Sequence, residues 1–265
     1  MDHLLRVENI HKHFGKAAVL QDINLHISCG EIFGLAGESG SGKSTLAQCI
    51  AGLHHYDNGT IFLNDQTLAS RRSAKEFQQQ AQQIQMIFQD PLSSINPRLT
   101  IADILLEPLR LNQIGTADEQ RQTAQWWMER IGLHAEDLQR YPHSFSGGQL
   151  QRIGIARALI NKPQLLICDE PVSALDVTTQ AQIIALLIEL RRELGLTLLF
   201  ISHDLAMMRK LCDRIAVMQH GKIVEQGDTS AVLNHPQHPY TQKLVKSSPP
   251  AITYVSALDS TPNCN

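Results

Sequence analysis

The feature that most constrains this chain is the run Gly37-Glu38-Ser39-Gly40-Ser41-Gly42-Lys43-Ser44-Thr45, set between an apolar stretch from Ile32 to Leu35 and a helical pattern from Leu46 to Leu53. It fits G-x-x-x-x-G-K-[ST] in the strand, loop and helix context that the pattern requires. Glycines let the backbone curl until its N–H groups converge on phosphate oxygens, and the following helix adds the positive end of its dipole. Lys43 then supplies a point charge to the outer phosphates, and the Ser44 hydroxyl suits a magnesium ion bridging them. With glycine at about 7% of residues in ordinary proteins, a chance match in a chain this long is on the order of one in a hundred. A plain flexible Gly/Ser loop is therefore the weaker reading.

A second element answers the first. Leu165 to Cys168 is an apolar run that ends on two adjacent carboxylates, Asp169 and Glu170, where a parallel sheet presents its ligand edge. Asp169 would hold the magnesium ion, and Glu170 would orient and deprotonate an attacking water. Alone, an Asp-Glu pair after a strand reads as a solvated loop; beside the glycine loop it reads as chemistry.

The surrounding pattern gives the architecture. Ile23, Leu25 and Ile27 alternate with polar residues, and Leu5 and Val7 suggest a neighbouring strand, so the chain is expected to open with an antiparallel sheet. The runs Ile32 to Leu35, Ile84 to Phe88, Leu165 to Cys168 and Leu196 to Ile201 do not alternate, which fits strands buried on both faces of a parallel α/β sheet. From Leu92 to about Arg157 the character changes to helix. Thr116-Ala117-Asp118-Glu119 reads as a capping box opening a helix that carries Ala124, Trp127, Met128 and Ile131 on one face and stops at Gly132. Ile215 to Met218 and Ile223 to Glu225 flank His220 and Gly221 as a hairpin. Past Gly227 the pattern is less regular, and residues 247–265 are expected to be partly disordered.

Composition removes other classes. The chain has 265 residues, 43% hydrophobic, enough for a sizeable core, and a formal net charge of -3 that argues against nucleic acid as its main partner. No apolar run reaches the length of a membrane span or signal peptide. Cys29, Cys49, Cys168, Cys212 and Cys264 form no C-x-x-C pair and read as reduced thiols. The histidine pairs His11 with His13, His54-His55 and His235 with His238 lack a third ligand and read as surface residues. Trp126-Trp127 reads as part of the core and surface of the helical region.

Ser144-Phe145-Ser146-Gly147-Gly148-Gln149 resembles the signature motif of ABC-type ATPases, and the resemblance spans nearly the whole chain. Physically, Ser146 can cap a helix over Gln149 to Ile160 and turn another helix start toward an anion. The resemblance implies a P-loop NTPase core, a RecA-like parallel sheet, with an N-terminal antiparallel β-subdomain and an inserted α-helical subdomain over about residues 91–158. The ATPase domain would occupy residues 1–230 and a C-terminal extension residues 231–265. It also implies ATP and Mg2+ as ligands. Two ATPase subunits would meet head to tail, so that Ser146, Gly147, Gly148 and Gln149 of one contact the nucleotide held by the Gly37 loop of the other. Phe145 departs from the family's usual leucine, an apolar exchange.

By the same resemblance Phe14 stacks on adenine, although it could equally anchor the opening sheet. Gln89 contacts magnesium or water, where a polar strand terminus is the bland alternative. Asp176 sits in the loop between paired subunits, with a helix cap as its alternative. His203 senses the terminal phosphate and holds Glu170, or is a structural loop histidine.

Gln89 to Arg98 and the tail His235-Pro236-Gln237-His238-Pro239-Tyr240-Thr241 are similar to segments of the oligopeptide, dipeptide and nickel class of ABC importers. That class implies two integral membrane permease subunits, a second ATPase subunit, an extracytoplasmic substrate-binding protein and a peripheral position on the cytoplasmic face of the inner membrane. Antimicrobial-peptide-uptake members are particularly similar, so peptides are the favoured cargo and nickel the alternative. With only Cys264 near the C-terminus, no iron-sulfur cluster is expected. A soluble ABC ATPase of DNA repair or translation would bring a second cassette or a long coiled-coil insertion, and neither is present. A nucleotide-binding pseudo-ATPase is disfavoured because Lys43, Asp169, Glu170 and His203 are all intact.

Overall fold

The alternation at the N-terminus becomes two long strands, β1 (His3–Phe14) and β2 (Ala17–Ser28), paired antiparallel with Leu5 opposite Ile27 and Val7 opposite Leu25. β4 (Asn58–Leu63) pairs with β1, and β5 (Gln66–Leu68) closes a four-stranded sheet in the order β2-β1-β4-β5. Its apolar face, with Leu5, Ile10, Ile23, Ile27 and Ile61, packs into one core with Leu46 and Ile50 of α1 (Lys43–Ala51). The computed structural model describes residues 3–90 and 95–247; Pro91 to Ser94 of the Gln89 to Arg98 segment, Cys264 and the rest of 248–265 lie outside the described residues.

The second sheet has six strands in the order β10-β9-β3-β8-β7-β6. β3 (Ile32–Ala36) lies parallel to both β8 (Thr197–Ile201) and β9 (Arg214–Gln219). β7 (Leu165–Asp169) lies parallel between β8 and β6 (Ile84–Ile87). Every residue of β3, β7 and β8 is buried, which is why their sequences run apolar without alternation. β10 (Lys222–Asp228) returns antiparallel to β9 through His220 and Gly221, both at positive φ. The register pairs Leu35 with Ile201, Asp169 with Ile201 and Ile87 with Cys168, so the C-terminal ends of β3, β6, β7 and β8 come together on one edge.

Helices cover this sheet. Between β6 and β7 lie α3 (Ile101–Leu111), α4 (Ala117–Arg130) and α5 (Gly147–Leu159), α2 (Ala74–Gln83) having preceded β6. The Thr116 capping box forms: the Thr116 hydroxyl accepts from the Glu119 N–H at 3.3 Å, and the Glu119 carboxylate accepts from the Thr116 N–H at 2.7 Å. Ala124, Trp127, Met128 and Ile131 are buried together with residues of β7, β8 and α6 (Val177–Leu194), in one continuous core. Arg130 pairs with Glu189 at 2.9 Å and with Glu193, tying α4 to α6.

Several boundaries differ from the sequence reading. α1 begins at Lys43 rather than Leu46, because Gly42 of the loop is its N-cap and the loop's last residues are already the first turn. α5 likewise begins at Gly147. Past Gly227, where irregularity was expected, β10 runs on to Asp228 and two helices follow, α8 (Thr229–Asn234) and α9 (Pro239–Ser247). Helices this short complete too few turns to display a 3.6-residue period. Among the described residues Cys29, Cys49, Cys168 and Cys212 are free thiols, and no helix is long and apolar enough to cross a membrane.

The two tryptophans separate cleanly, Trp127 being 3% exposed and Trp126 44%. Trp127→Ala is expected to lower stability by about 3–5 kcal/mol, and Trp126→Ala by no more than about 1 kcal/mol. Urea unfolding followed by circular dichroism measures both.

Candidate functional site

At the shared strand edge the glycine loop turns out of β3 and back beneath its neighbours. Gly37 has φ 149°, and a Cβ there would lie 2.3 Å from the Met218 carbonyl of β9. Gly42 has φ 108°, with the Val19 carbonyl of β2 2.9 Å from where its Cβ would be. Only glycine fits either place: the backbone conformation disfavours a side chain and the nearest atoms are main chain. The loop is buttressed from both sheets. Gly221 donates to the Ser41 carbonyl at 3.0 Å, and Gln21 of β2 donates to the Gly221 carbonyl at 2.8 Å.

Lys43 is buried, its ammonium donating to the carbonyls of Gly37 at 2.8 Å and Glu38 at 2.9 Å. Burial lowers its pKa below the ordinary lysine range, while the nearby Glu170 and Asp169 carboxylates pull the other way. The Ser44 hydroxyl donates to Asp169 Oδ1 at 3.1 Å, joining the end of β7 to the start of α1. Burial raises the Asp169 carboxyl, Ser44 and Lys43 opposing it and Glu170 adding to it. Burial thus puts a cost on an ionised Asp169 that a bound cation would relieve.

Glu170 is built differently. It is a non-glycine residue at φ 48°, a left-handed conformation that costs about 1–3 kcal/mol and needs support from its surroundings. Its N–H donates to the Ile201 carbonyl at 3.0 Å, and its carbonyl accepts from the Ser173 N–H at 3.3 Å and hydroxyl at 3.1 Å. This bend aims the carboxylate toward His203, whose Nδ1 lies 3.3 Å from Glu170 Oε1. Asp204 next to it caps α7 (Leu205–Leu211) by accepting from Ala206 and Met207, which fixes the end of the loop that presents His203.

These groups line one open cavity of about 610 Å³: Glu38, Ser39, Gly40, Gly42, Lys43, Ser44 and Thr45 from the loop, Gln89 after β6, and Glu170 and His203. Gly37 and Ser41 lie behind it in the loop's base, and the Ser41 hydroxyl is buried with no hydrogen-bond partner. Val19 also lines the cavity and Met218 backs it. Neither was foreseen, since one apolar strand residue among many carries no signal in a sequence.

Other sequence candidates lie elsewhere. Phe14 is not in the cavity lining; it is exposed at the end of β1, with His54 edge-on at 5.5 Å and the Lys12 ammonium 4.9 Å from its ring centre. Ser146 caps α5, its hydroxyl accepting from the Gln149 N–H at 3.3 Å while Gln149 Oε1 accepts from the Ser146 N–H at 2.9 Å. With Gly147, Gly148 and Gln149 it forms no part of this chain's own cavity lining. Phe145 is buried beneath the Arg140 guanidinium at 4.7 Å, so the exchange for leucine is filled by packing. Asp176 is the N-cap of α6, accepting from the Thr179 N–H at 3.0 Å and hydroxyl at 2.7 Å, and those bonds hold its carboxyl below the usual range.

A family model described as "ABC transporter" matches residues 20–173, and one described as "Oligopeptide/dipeptide transporter, C-terminal region" matches residues 224–256. The chain is 44% identical to the oligopeptide transport ATP-binding protein OppF of Bacillus subtilis, over 94% of its own length and 83% of that protein's. It is 48% identical to OppF of Haemophilus influenzae over 87% of its length and 69% of that protein's. Among solved structures it is similar to CbiO1 of Clostridium perfringens, part of the ABC transporter complex cbiONQ. There the TM-score is 0.79 at 29% identity, covering 89% of this chain and 92% of that one. It is also similar to a dimeric post-hydrolysis state of the ATP-binding cassette MJ0796 bound to ADP and Pi, with TM-score 0.76 at 28% identity, covering 85% and 98%.

Because the Met218 carbonyl cannot retreat without disturbing β9, Gly37→Ala is expected to lower unfolding stability by about 1–3 kcal/mol. Gly40→Ala, whose Cβ would meet nothing within 4 Å, should lower it by only about 1 kcal/mol, the low end of the left-handed backbone penalty. Chemical denaturation of both variants measures the difference.

Proposed function

The chain belongs to the ATP-binding subunits of ABC transporters, and from that premise we propose how its own residues bind and hydrolyse ATP to energise the uptake of peptides. The observation that carries this reading is the convergence of Lys43, Ser44, Gln89, Glu170 and His203 on one cavity above a glycine cradle. The cradle suits a polyphosphate: it is glycine-rich main chain with few side chains to cover its N–H groups, and it holds a buried, unpartnered Ser41 hydroxyl. Ser44, Asp169 and Gln89 offer hydroxyl, carboxylate and amide oxygens, the hard donors that magnesium prefers. Magnesium, when bound, would neutralise charge on the phosphate oxygens.

In this reading the loop amides and the dipole of α1 bind the phosphates, and Lys43, already aimed by the Gly37 and Glu38 carbonyls, meets their outer charge. Glu170 orients water for in-line attack and takes its proton at a carboxylate oxygen. His203, 3.3 Å from Glu170 Oε1, keeps that carboxylate in place. Phe14 would receive the adenine once the cavity is extended by ligand. The exposed start of α5, with Ser146, Gly147, Gly148 and Gln149, would complete the cavity of a second ATPase subunit, Asp176 lying between the two. An ATPase domain over residues 1–230, with its helical insertion, and a C-terminal extension beyond it belong to the same proposal.

The subunit works with the permeases of a transporter and associates peripherally with the membrane. Two permease subunits, a second ATPase and an extracytoplasmic binding protein, with this chain on the cytoplasmic side, are the assembly that the 44–48% identical oligopeptide transport relatives support.

Glu170→Gln should keep ATP affinity while slowing hydrolysis about 10²–10⁴-fold, since the base is removed and the phosphate cradle remains. Phosphate release under single-turnover conditions reads this, and hydrolysis at the native rate would move the base elsewhere. Affinity purification of tagged Glu170→Gln protein with ATP from detergent-solubilised membranes should bring down two permeases and a second ATPase. Recovery of ribosomal or DNA-repair proteins instead would overturn the transport reading. Lys43→Ala should weaken nucleotide binding itself by about tenfold or more, the loss expected for a charge-assisted bond. A fluorescent ATP analogue reports it.

A further inference from the structure

The tail segment His235 to Thr241, set apart in the sequence, has no role in the chemistry above, yet it reaches the phosphate loop. The Tyr240 hydroxyl accepts a hydrogen bond from the Glu38 N–H at 3.0 Å, across 202 residues of sequence. Tyr240 is 8% exposed, and its ring packs in the same core as Val232, Leu233 and Met208. We propose that Tyr240 is a positioning residue for the phosphate loop: the C-terminal segment delivers its hydroxyl to pin the Gly37–Glu38 peptide, whose carbonyl, that of Gly37, in turn holds the Lys43 ammonium.

Each step has an observed contact. The Glu225 carboxylate of β10 accepts from the N–H groups of Gln237 at 2.8 Å and His238 at 3.1 Å, seating the segment against the sheet. His238 Nδ1 accepts from the Tyr240 N–H at 3.2 Å, and Pro239 opens α9, where a missing N–H does no harm. The run His-Pro-Tyr is thereby explained residue by residue: one caps, one starts the helix, one reaches the loop. At the far end the Gly37–Glu38 peptide is gripped at both ends, its N–H by Tyr240 and its carbonyl, that of Gly37, by Lys43 at 2.8 Å. A peptide held at one end cannot rotate freely, so the direction in which its carbonyl holds Lys43 follows from where the tyrosine sits. Burial raises the Tyr240 phenol above its ordinary pKa, so the hydroxyl stays neutral at physiological pH. The loop is thus preorganised for phosphate by a part of the chain outside the strand–loop–helix unit, and less ordering remains to be done when nucleotide arrives.

The inference rests on the phosphate-loop reading, and the test separates the two. In the full-length chain, affinity for a fluorescent ATP analogue is measured for wild type, Lys43→Ala and Tyr240→Phe, together with KM and kcat for ATP and the melting temperature. Tyr240→Phe keeps the ring in the core and deletes only the hydroxyl. Its expected signature is an affinity about fivefold weaker and a KM raised to match, the size of one hydrogen bond, with kcat within about twofold of wild type and melting little changed. Unchanged or tighter binding by Tyr240→Phe, with Lys43→Ala impaired, would overturn the latch and leave the phosphate loop standing. Unimpaired binding by Lys43→Ala would remove the phosphate-loop reading itself, and the latch with it. Should Tyr240→Phe melt early, Glu225→Gln reads the same link without touching the ring. It weakens the grip on Gln237 and His238, and a two- to threefold loss of affinity is expected; no loss would count against the proposal.

Discussion

The close passage of main chain over main chain at Gly37 is the constraint on which the rest of this structure depends. Bare backbone at Gly37 and Gly42 fits against the carbonyls of Met218 and Val19, one from each sheet. That fit lets the loop fold back under its neighbours, and it commits β9 and β2 to lie where they do. The hairpin turn joins in, since Gly221 bonds both to Ser41 of the loop and, through its carbonyl, to Gln21 of β2. A phosphate cradle made of amides is only as rigid as the walls that hold it. Here the walls are two sheets and, at Glu38, a tyrosine from the C-terminal segment.

Charge is arranged on this frame in a state of tension. Lys43 at the start of α1 and Asp169 and Glu170 at the end of β7 are close enough to act on one another electrostatically. Burial disfavours the charged forms of Lys43 and Asp169 alike, and Asp169 and Glu170 repel each other. The ammonium is satisfied by carbonyls and the Asp169 carboxylate by one hydroxyl, so both have capacity left for a polyanion and its cation. The left-handed Glu170 belongs to the same pattern: strain is tolerated because its hydrogen bonds to the Ile201 carbonyl and from Ser173 fix the bend on either side.

The site is also divided. The start of α5 at Ser146 has the same anion-binding potential as the start of α1, yet it lines no part of this chain's own cavity. In the function proposed above, this capped, exposed helix end completes the cavity of a second subunit, which ties hydrolysis to the meeting of the two.

Much of this was legible in the linear chain. The nine residues from Gly37 to Thr45, the Asp169-Glu170 pair and the Ser146 motif declare themselves because their chemistry is local: a loop must curl, a strand must end, a helix must be capped. Strand burial was legible too, since unbroken apolar runs such as Leu165 to Cys168 can only be satisfied on both faces. What the linear chain left undecided depends on distance through space. The placing of Val19 and Met218 around the loop, the left-handed turn at Glu170 and the short helices α8 and α9 carry no local signature, because packing from other strands imposes them. The amino acids alone determined which groups this protein has for handling phosphate. Only the tertiary structure decided that Phe14 stands apart from the cavity and that Tyr240 reaches Glu38, since such placements depend on residues whose spacing along the chain carries no information about their spacing in the fold.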